Sequence, residues 1–168
     1  MSTTKTLVLS GNQIQQRINR MAYEIYENNY EEKEIIIAGI APNGFLLAKK
    51  IGKVLHEISP IKIKLIEIIV NKENPFHEEA KLDLDEKEIN NKVVVLVDDV
   101  LNSGKTLIFG MKRFLNTAVK RVTTVVLVDR NHTRYPIKAD FFGISLSTTL
   151  QEHISVELDK GKEAVYLE

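Results

Sequence analysis

The stretch from Val93 to Thr106 (VVVLVDDVLNSGKT) constrains this chain more than any other. Val93, Val94, Val95, Leu96 and Val97 form an unbroken, mostly β-branched apolar run. A strand shows such a run when both its faces are buried in a parallel sheet. Asp98 and Asp99 follow where the run predicts the strand to end. A small polar loop comes next, and Leu107, Ile108, Met111, Phe114 and Leu115 then recur at helical spacing. In open α/β sheets, ligands lie at the carboxyl ends of the strands. A helix N-terminus at that place offers unpaired N–H groups and the positive end of its dipole, which suit a phosphate. Acceptors for hydroxyls or a metal thus stand beside donors for an anion, as a sugar phosphate would require. The plainer alternative is that the Asp and Ser side chains only cap the helix.

Gly104-Lys105-Thr106 has the look of a P-loop ending, but the first glycine of that pattern would fall at Asp99. The cradle for a triphosphate is therefore missing. The formal net charge is zero, so no global field points to a nucleic-acid partner. Charge is nonetheless uneven: Lys105–Asp140 holds eight Lys/Arg against two Asp, and Asn71–Lys92 holds seven Asp/Glu against four Lys. The basic half contains the proposed phosphate loop. The chain has no cysteine, which excludes a disulfide framework, a thiol nucleophile and a Cys-based zinc site. No membrane-length apolar run or signal-peptide core occurs, and a cytoplasmic location is expected.

Along the chain, Ser10-Gly11-Asn12-Gln13 has the form of a capping box, and Ile14, Ile18, Met21 and Ile25 predict a helix to about Asn28 or Asn29. A strand is expected over Glu34–Ala38, a turn-rich loop over Gly39–Gly44, and a helix from Phe45 through Leu55. Lys62–Val70 reads as a strand and Asn71–Asn91 as a long, mobile loop. Further strands are expected at Val122–Val128, Asp140–Ile144, Ile154–Leu158 and Ala164–Leu167. The alternation predicts an α/β fold: a parallel core sheet flanked by helices, with a small hood of N- and C-terminal segments. At 168 residues with no internal linker, one domain over 1–168 is expected.

Apolar strand, two acids, two apolar residues and X-[ST]-G-X-T together resemble the 5-phosphoribosyl-diphosphate (PRPP) signature of type I phosphoribosyltransferases. The resemblance is closest to the pyrimidine-operon attenuator/uracil phosphoribosyltransferase family. It extends to Gly39-Ile40 through Gly44 with Leu47-Ala48-Lys49, to Leu127-Val128-Asp129-Arg130-Asn131-His132, and to Pro136 through Gly143. It implies phosphoribosyl transfer from PRPP to a base nitrogen, with Mg2+ carried by PRPP and no metal held directly by the protein. It also implies a homo-oligomer, dimer or tetramer. Members of this family can in addition bind RNA as PRPP- or UMP-responsive regulators of pyrimidine genes. That rival draws no support from an Arg/Lys cluster, nor from the polar run Ser147–Glu152. A purine-salvage enzyme is a third possibility.

On this resemblance Asp98 and Asp99 are the catalytic acids at the ribose. As adjacent strand residues they point to opposite faces and need not share a role. Asn102, Ser103, Gly104, Lys105 and Thr106 would wrap the 5′-phosphate, although Lys105 reads equally as an exposed helix lysine. Ala41, Pro42, Asn43 and Gly44 occupy the diphosphate loop, where related proteins carry an arginine at the Asn43 position. Asn71–Asn91 corresponds to the lid; Lys72 stands where relatives have an arginine, and Lys81 is the other cation within reach. Asp129, Arg130, His132, Phe141 and Phe142 fall at the base pocket, with core packing the alternative for the two phenylalanines and a surface loop the alternative for His132. Hypoxanthine–guanine enzymes carry an aspartate where Asn102 stands and a lysine where Asp129 stands. An amide cannot act as a general base, and both differences favour uracil over a 6-oxopurine.

Overall fold

The computed structural model describes residues 4–168. Its elements, in chain order, are β1 (Thr6–Leu9), α1 (Gly11–Asn29), β2 (Glu34–Ile40), α2 (Asn43–Ile58), β3 (Lys62–Ile69), β4 (Lys81–Leu82), α3 (Glu86–Ile89), β5 (Val93–Leu101), α4 (Lys105–Phe114), β6 (Arg121–Asp129), β7 (Phe141–Ser145), β8 (Ile154–Glu157) and β9 (Ala164–Leu167). Six strands form one sheet in the order β4-β3-β2-β5-β6-β7, and β1-β9-β8 form a second, antiparallel one. Within the larger sheet all pairs are parallel except β3 with β4.

Alternation along the central strands divides the core. Ile35, Ile37, Val93, Val95 and Val97 pack with α1 and α2 residues such as Ile18, Met21, Leu47 and Ile51. Ile36, Ala38, Val94 and Leu96 face the other way, onto Leu107 and Phe114 of α4. Each such buried side chain contributes about 1.5–3 kcal/mol of transfer free energy, which explains why both faces of these strands must be apolar. The Ser10–Gln13 capping box forms as expected and starts α1.

From β2 the chain crosses through α2 to β3 on one side; from β5 it crosses through α4 to β6 on the other. The two crossover helices lie on opposite faces. Their loops therefore part between the carboxyl ends of β2 and β5, leaving a crevice at the switch in strand order.

The structure departs from the sequence expectations in several places. Asp98 and Asp99 lie within β5, not beyond it. Pairing with β2 stops at Val97, but pairing with β6 continues to Leu101, so the acids occupy a strand end supported on one side. Gly39 and Ile40 belong to β2, and α2 starts at Asn43, which shortens the turn-rich loop. Asn71–Asn91 is not one long loop. β4 pairs with β3 through Ile68–Leu82 and Ile69–Lys81, α3 carries a capping box from Asp85, and Ala80 and Ile89 are buried. Apolar anchors spaced too irregularly for a periodic pattern hold this half of the segment down. β1 is also absent from the sequence expectations; it is short and depends on β9 for its pairing.

Candidate active site at the sheet crossover

Adjacent residues of β5 send the two carboxylates into different cavities. Asp98 is 4% exposed, and its Oδ1 accepts the Asp99 N–H at 2.9 Å. Burial, followed by the neighbouring Asp99 charge, pushes the Asp98 carboxyl well above the usual carboxylate range, and the charge of Lys72 opposes this. Asp98 borders a cavity of about 120 Å³ shared with Asn102, Ser103, Gly104 and Thr106. Asp99 borders a larger one of about 330 Å³. Its Oδ1 accepts the Val100 N–H at 2.9 Å and its Oδ2 accepts Asn43 Nδ2 at 3.1 Å. Neither acid caps α4, whose N-cap is Gly104 with no side-chain cap bond.

The loop entering α4 is braced from outside. Leu101 O accepts the Arg130 N–H at 3.1 Å, and Ser103 O accepts the Arg134 and Tyr135 N–H groups at 2.8 and 3.3 Å. Gly104 has φ +87°, which disfavours any side chain there, and a Cβ would stand 2.6 Å from Ile137 Cγ2. The Lys105 N–H donates to Ser103 Oγ at 3.2 Å. Among the described residues, the N–H groups of Ser103, Gly104, Thr106 and Leu107 meet no protein acceptor. They are open donors at a helix N-terminus, suited to an anion. Lys105 Nζ lies 5.0 Å from the ring centroid of Phe76, which in turn meets Phe109 edge-on at 5.1 Å.

The second loop, Ala41–Gly44, is pressed against β5. A Cβ on Gly44 would stand 2.6 Å from Val97 O and 2.9 Å from Asp98 Cα, so only glycine lets α2 approach the acids this closely. Asn43 Nδ2 donates to Asp99 and also, at 3.1 Å, to Val156 O of β8. The smaller sheet is thereby tied to the acid. It supplies His153, Ile154, Ser155 and Val156 as the far wall of the larger cavity, residues that no local motif announced.

Arg130 lines that cavity but is itself 6% exposed. Its Nε donates to Thr148 Oγ1 at 2.9 Å, Nη1 to Asn102 Oδ1 at 3.1 Å, and Nη2 to Thr149 O and Glu152 O at 3.2 and 2.7 Å. The polar run Ser147–Glu152 is thus structural: its carbonyls hold a buried cation. His132 Nε2 contacts Thr148 O in the same segment. Asp129 Oδ1 accepts the Asn131 N–H at 2.9 Å. Phe141 and Phe142 stand apart from the cavity. They pair with Val125 and Val126, well back from the carboxyl end of β6; Phe141 packs into the α1-side core and Phe142 is partly exposed. The register of an edge strand decides their place.

Residues 7–160 match the phosphoribosyl transferase domain family. The bifunctional protein PyrR of Limosilactobacillus reuteri is 33% identical over 172 residues, covering 96% of this chain and 97% of that protein. The bifunctional protein PyrR of Fusobacterium nucleatum is 33% identical over 177 residues, covering 99% and 100%. Among solved structures, the hypoxanthine phosphoribosyltransferase of Trypanosoma cruzi superposes with a TM-score of 0.76 at 16% identity, covering 96% of this chain and 95% of that one. A hypoxanthine-guanine phosphoribosyltransferase from Bacillus anthracis gives 0.70 at 21% identity, covering 87% and 84%. These two share the fold.

Proposed function

The chain belongs to the phosphoribosyl transferase domain family and is a phosphoribosyltransferase that uses PRPP and a nucleobase; from that premise we propose uracil as the base and assign the roles below. The observation that carries the assignment is the pair of cavities on either side of Asn102. The smaller one, with its open amides, suits the 5′-phosphate. The larger one, walled by Asp99 and the smaller sheet, suits the base. The ribose then spans the two, across Asp98 and Asp99.

Transfer breaks the C1–O bond, with the electron pair leaving on diphosphate. Uracil N1 gives an electron pair to C1 and its proton to solvent. Positive charge builds on the ribose ring in between, and the Asp99 carboxylate supplies negative potential there. Asn43, Gly44 and Phe45 offer N–H groups at the start of α2, without protein acceptors among the described residues, for the diphosphate. Lys72, whose charge acts on Asp98, supplies a cation on that side. Mg2+ enters as part of the substrate. Asp99 is the one carboxylate among the residues lining the larger cavity. This donor set fits an ion already held by diphosphate oxygens.

RNA binding, the rival reading, has less support: Arg17, Arg20 and Arg121 all donate to carbonyls of this chain, at Gly143, Phe142 and Asn28. The deciding measurement is diphosphate release from PRPP with uracil, hypoxanthine, guanine, xanthine and adenine in turn. Uracil is expected to exceed hypoxanthine and guanine by at least ~10-fold in kcat/KM, or ~1.4 kcal/mol. Efficient purine turnover would replace the base assignment. Salt-sensitive binding to structured RNA, altered by PRPP or UMP and without turnover of any base, would replace the enzyme reading.

A further inference from the structure

Arg130 donates from all three guanidinium nitrogens, and every acceptor is a neutral oxygen. One of these is Asn102 Oδ1, at 3.1 Å. A guanidinium has no acceptor, so the Asn102 amide can meet it only through its oxygen. The amide cannot flip without setting its NH2 against a buried cation. Arg130 is in turn immobilised by Thr148, Thr149 and Glu152. Asn102 Nδ2 donates to no protein oxygen among the described residues, and Asn102 borders both cavities. A fixed, unused N–H donor therefore stands at the junction of phosphate loop and base cavity, where the new glycosidic bond must form.

Resting on the transferase reading above, we infer that Asn102 selects bases carrying a ring carbonyl next to the nitrogen that bonds ribose. Arg130 is the positioning residue that keeps the amide donor-side inward. Uracil presents such a carbonyl at C2, beside N1. Asn102 is exposed in the unliganded chain; a base filling the cavity displaces water from its N–H, and an analogue without the carbonyl is rejected because that donor is then left unpaired. An aspartate at this position would be drawn to Arg130 as an ion pair and would offer no donor.

The test compares kcat/KM for uracil with that for pyrimidin-4-one, which lacks the C2 oxygen, in wild type, Asn102→Leu, Asn102→Asp and Arg130→Lys. PRPP affinity by calorimetry serves as the control. Wild type is expected to favour uracil by about 10²-fold or more. Asn102→Leu and Asn102→Asp are both expected to lower that ratio by about tenfold or more; a change in PRPP affinity, read by the calorimetry, acts on both bases alike and leaves the ratio untouched. Arg130→Lys keeps the charge but frees the amide, and gives an intermediate ratio; should it fail to fold, the two Asn102 variants still decide. A ratio unchanged in Asn102→Leu, with uracil still turned over, overturns the role of Asn102 alone. Bound PRPP with no turnover of any base by wild type overturns the transferase reading, and this inference with it.

Discussion

Two loops leave neighbouring strands at the same end of the sheet, and they are built in opposite ways. The loop from Asn102 to Leu107 keeps its backbone donors open and is braced from outside, through Leu101 O, Ser103 O and the left-handed Gly104. The loop from Ala41 to Gly44 has a single polar side chain, Asn43, and its Nδ2 donates to the protein itself, at Asp99 and Val156 O. The first presents open donors on a braced backbone, as the proposed 5′-phosphate site requires. The second is a strut that joins the smaller sheet to the acid, so that on the proposed reading diphosphate would be left to backbone N–H groups and Lys72. Two proposed anion sites in one crevice need not use the same means: a helix end suffices for one phosphate. A loop that also carries a tether has no cation to spare.

Removing the carboxylate between the loops has the largest expected effect. Asp99→Asn lowers kcat/KM by at least ~10²-fold, since one well-placed electrostatic group is worth ~2.7–4 kcal/mol in the transition state. Folding survives: the amide oxygen still accepts from Val100 N–H, and only the Asn43 bond to the second oxygen is lost. Steady-state kinetics at wild-type rates would take Asp99 out of the reaction.

Asp98, packed beneath Gly44, separates the loops by pH. Its folded-state pKa is raised, so the folded protein binds its proton more tightly than the unfolded chain does. The stability this provides is complete below the unfolded carboxylate value near ~3.9. It is lost as pH rises from there through the raised folded value, at up to ~1.4 kcal/mol per unit. Asp98→Asn should flatten that part of the profile in urea midpoints measured against pH. An equal slope in both proteins would mean that another group controls it.

A smaller change would make the two loops alike in charge. Asn43→Arg places a cation in the strut and should tighten diphosphate binding about tenfold, ~1.4 kcal/mol. The lost tether to Asp99 and Val156 should cost about 0.5–1.5 kcal/mol of stability for each hydrogen bond. Calorimetry with Mg–diphosphate reads the first effect and thermal unfolding the second. Unchanged affinity would show that the α2 N-terminus already saturates the site.

The central strands and the order of elements were legible in the sequence because burial on both faces demands unbroken β-branched runs, as in Ile35–Ile37 and Val93–Val97. The strand–loop–helix at Asn102–Thr106, with its open amides, was legible because one local segment holds strand, glycine and helix start. The edge strand β7 and the hood strands β8 and β9 were legible too, but β1, β4 and α3 were not: these draw their stability from partners elsewhere in the chain rather than from their own periodicity. Nor could the sequence give the fate of Phe141 and Phe142, since the register of β7 on β6, set by packing, keeps them from the cavity.

By itself, then, the sequence determined which strands form the core, where the glycine loop opening α4 lies and which acids stand beside it. These depend on neighbours within a few positions, through side-chain alternation and backbone geometry. Only the tertiary structure decided that the two acids serve different cavities, that Asn43 is a strut and that Arg130 orients Asn102. Those pairings join residues 56, 113 and 28 positions apart. A hydrogen bond over such a separation exists only once the crossovers have brought the strand ends together, and no local pattern records it.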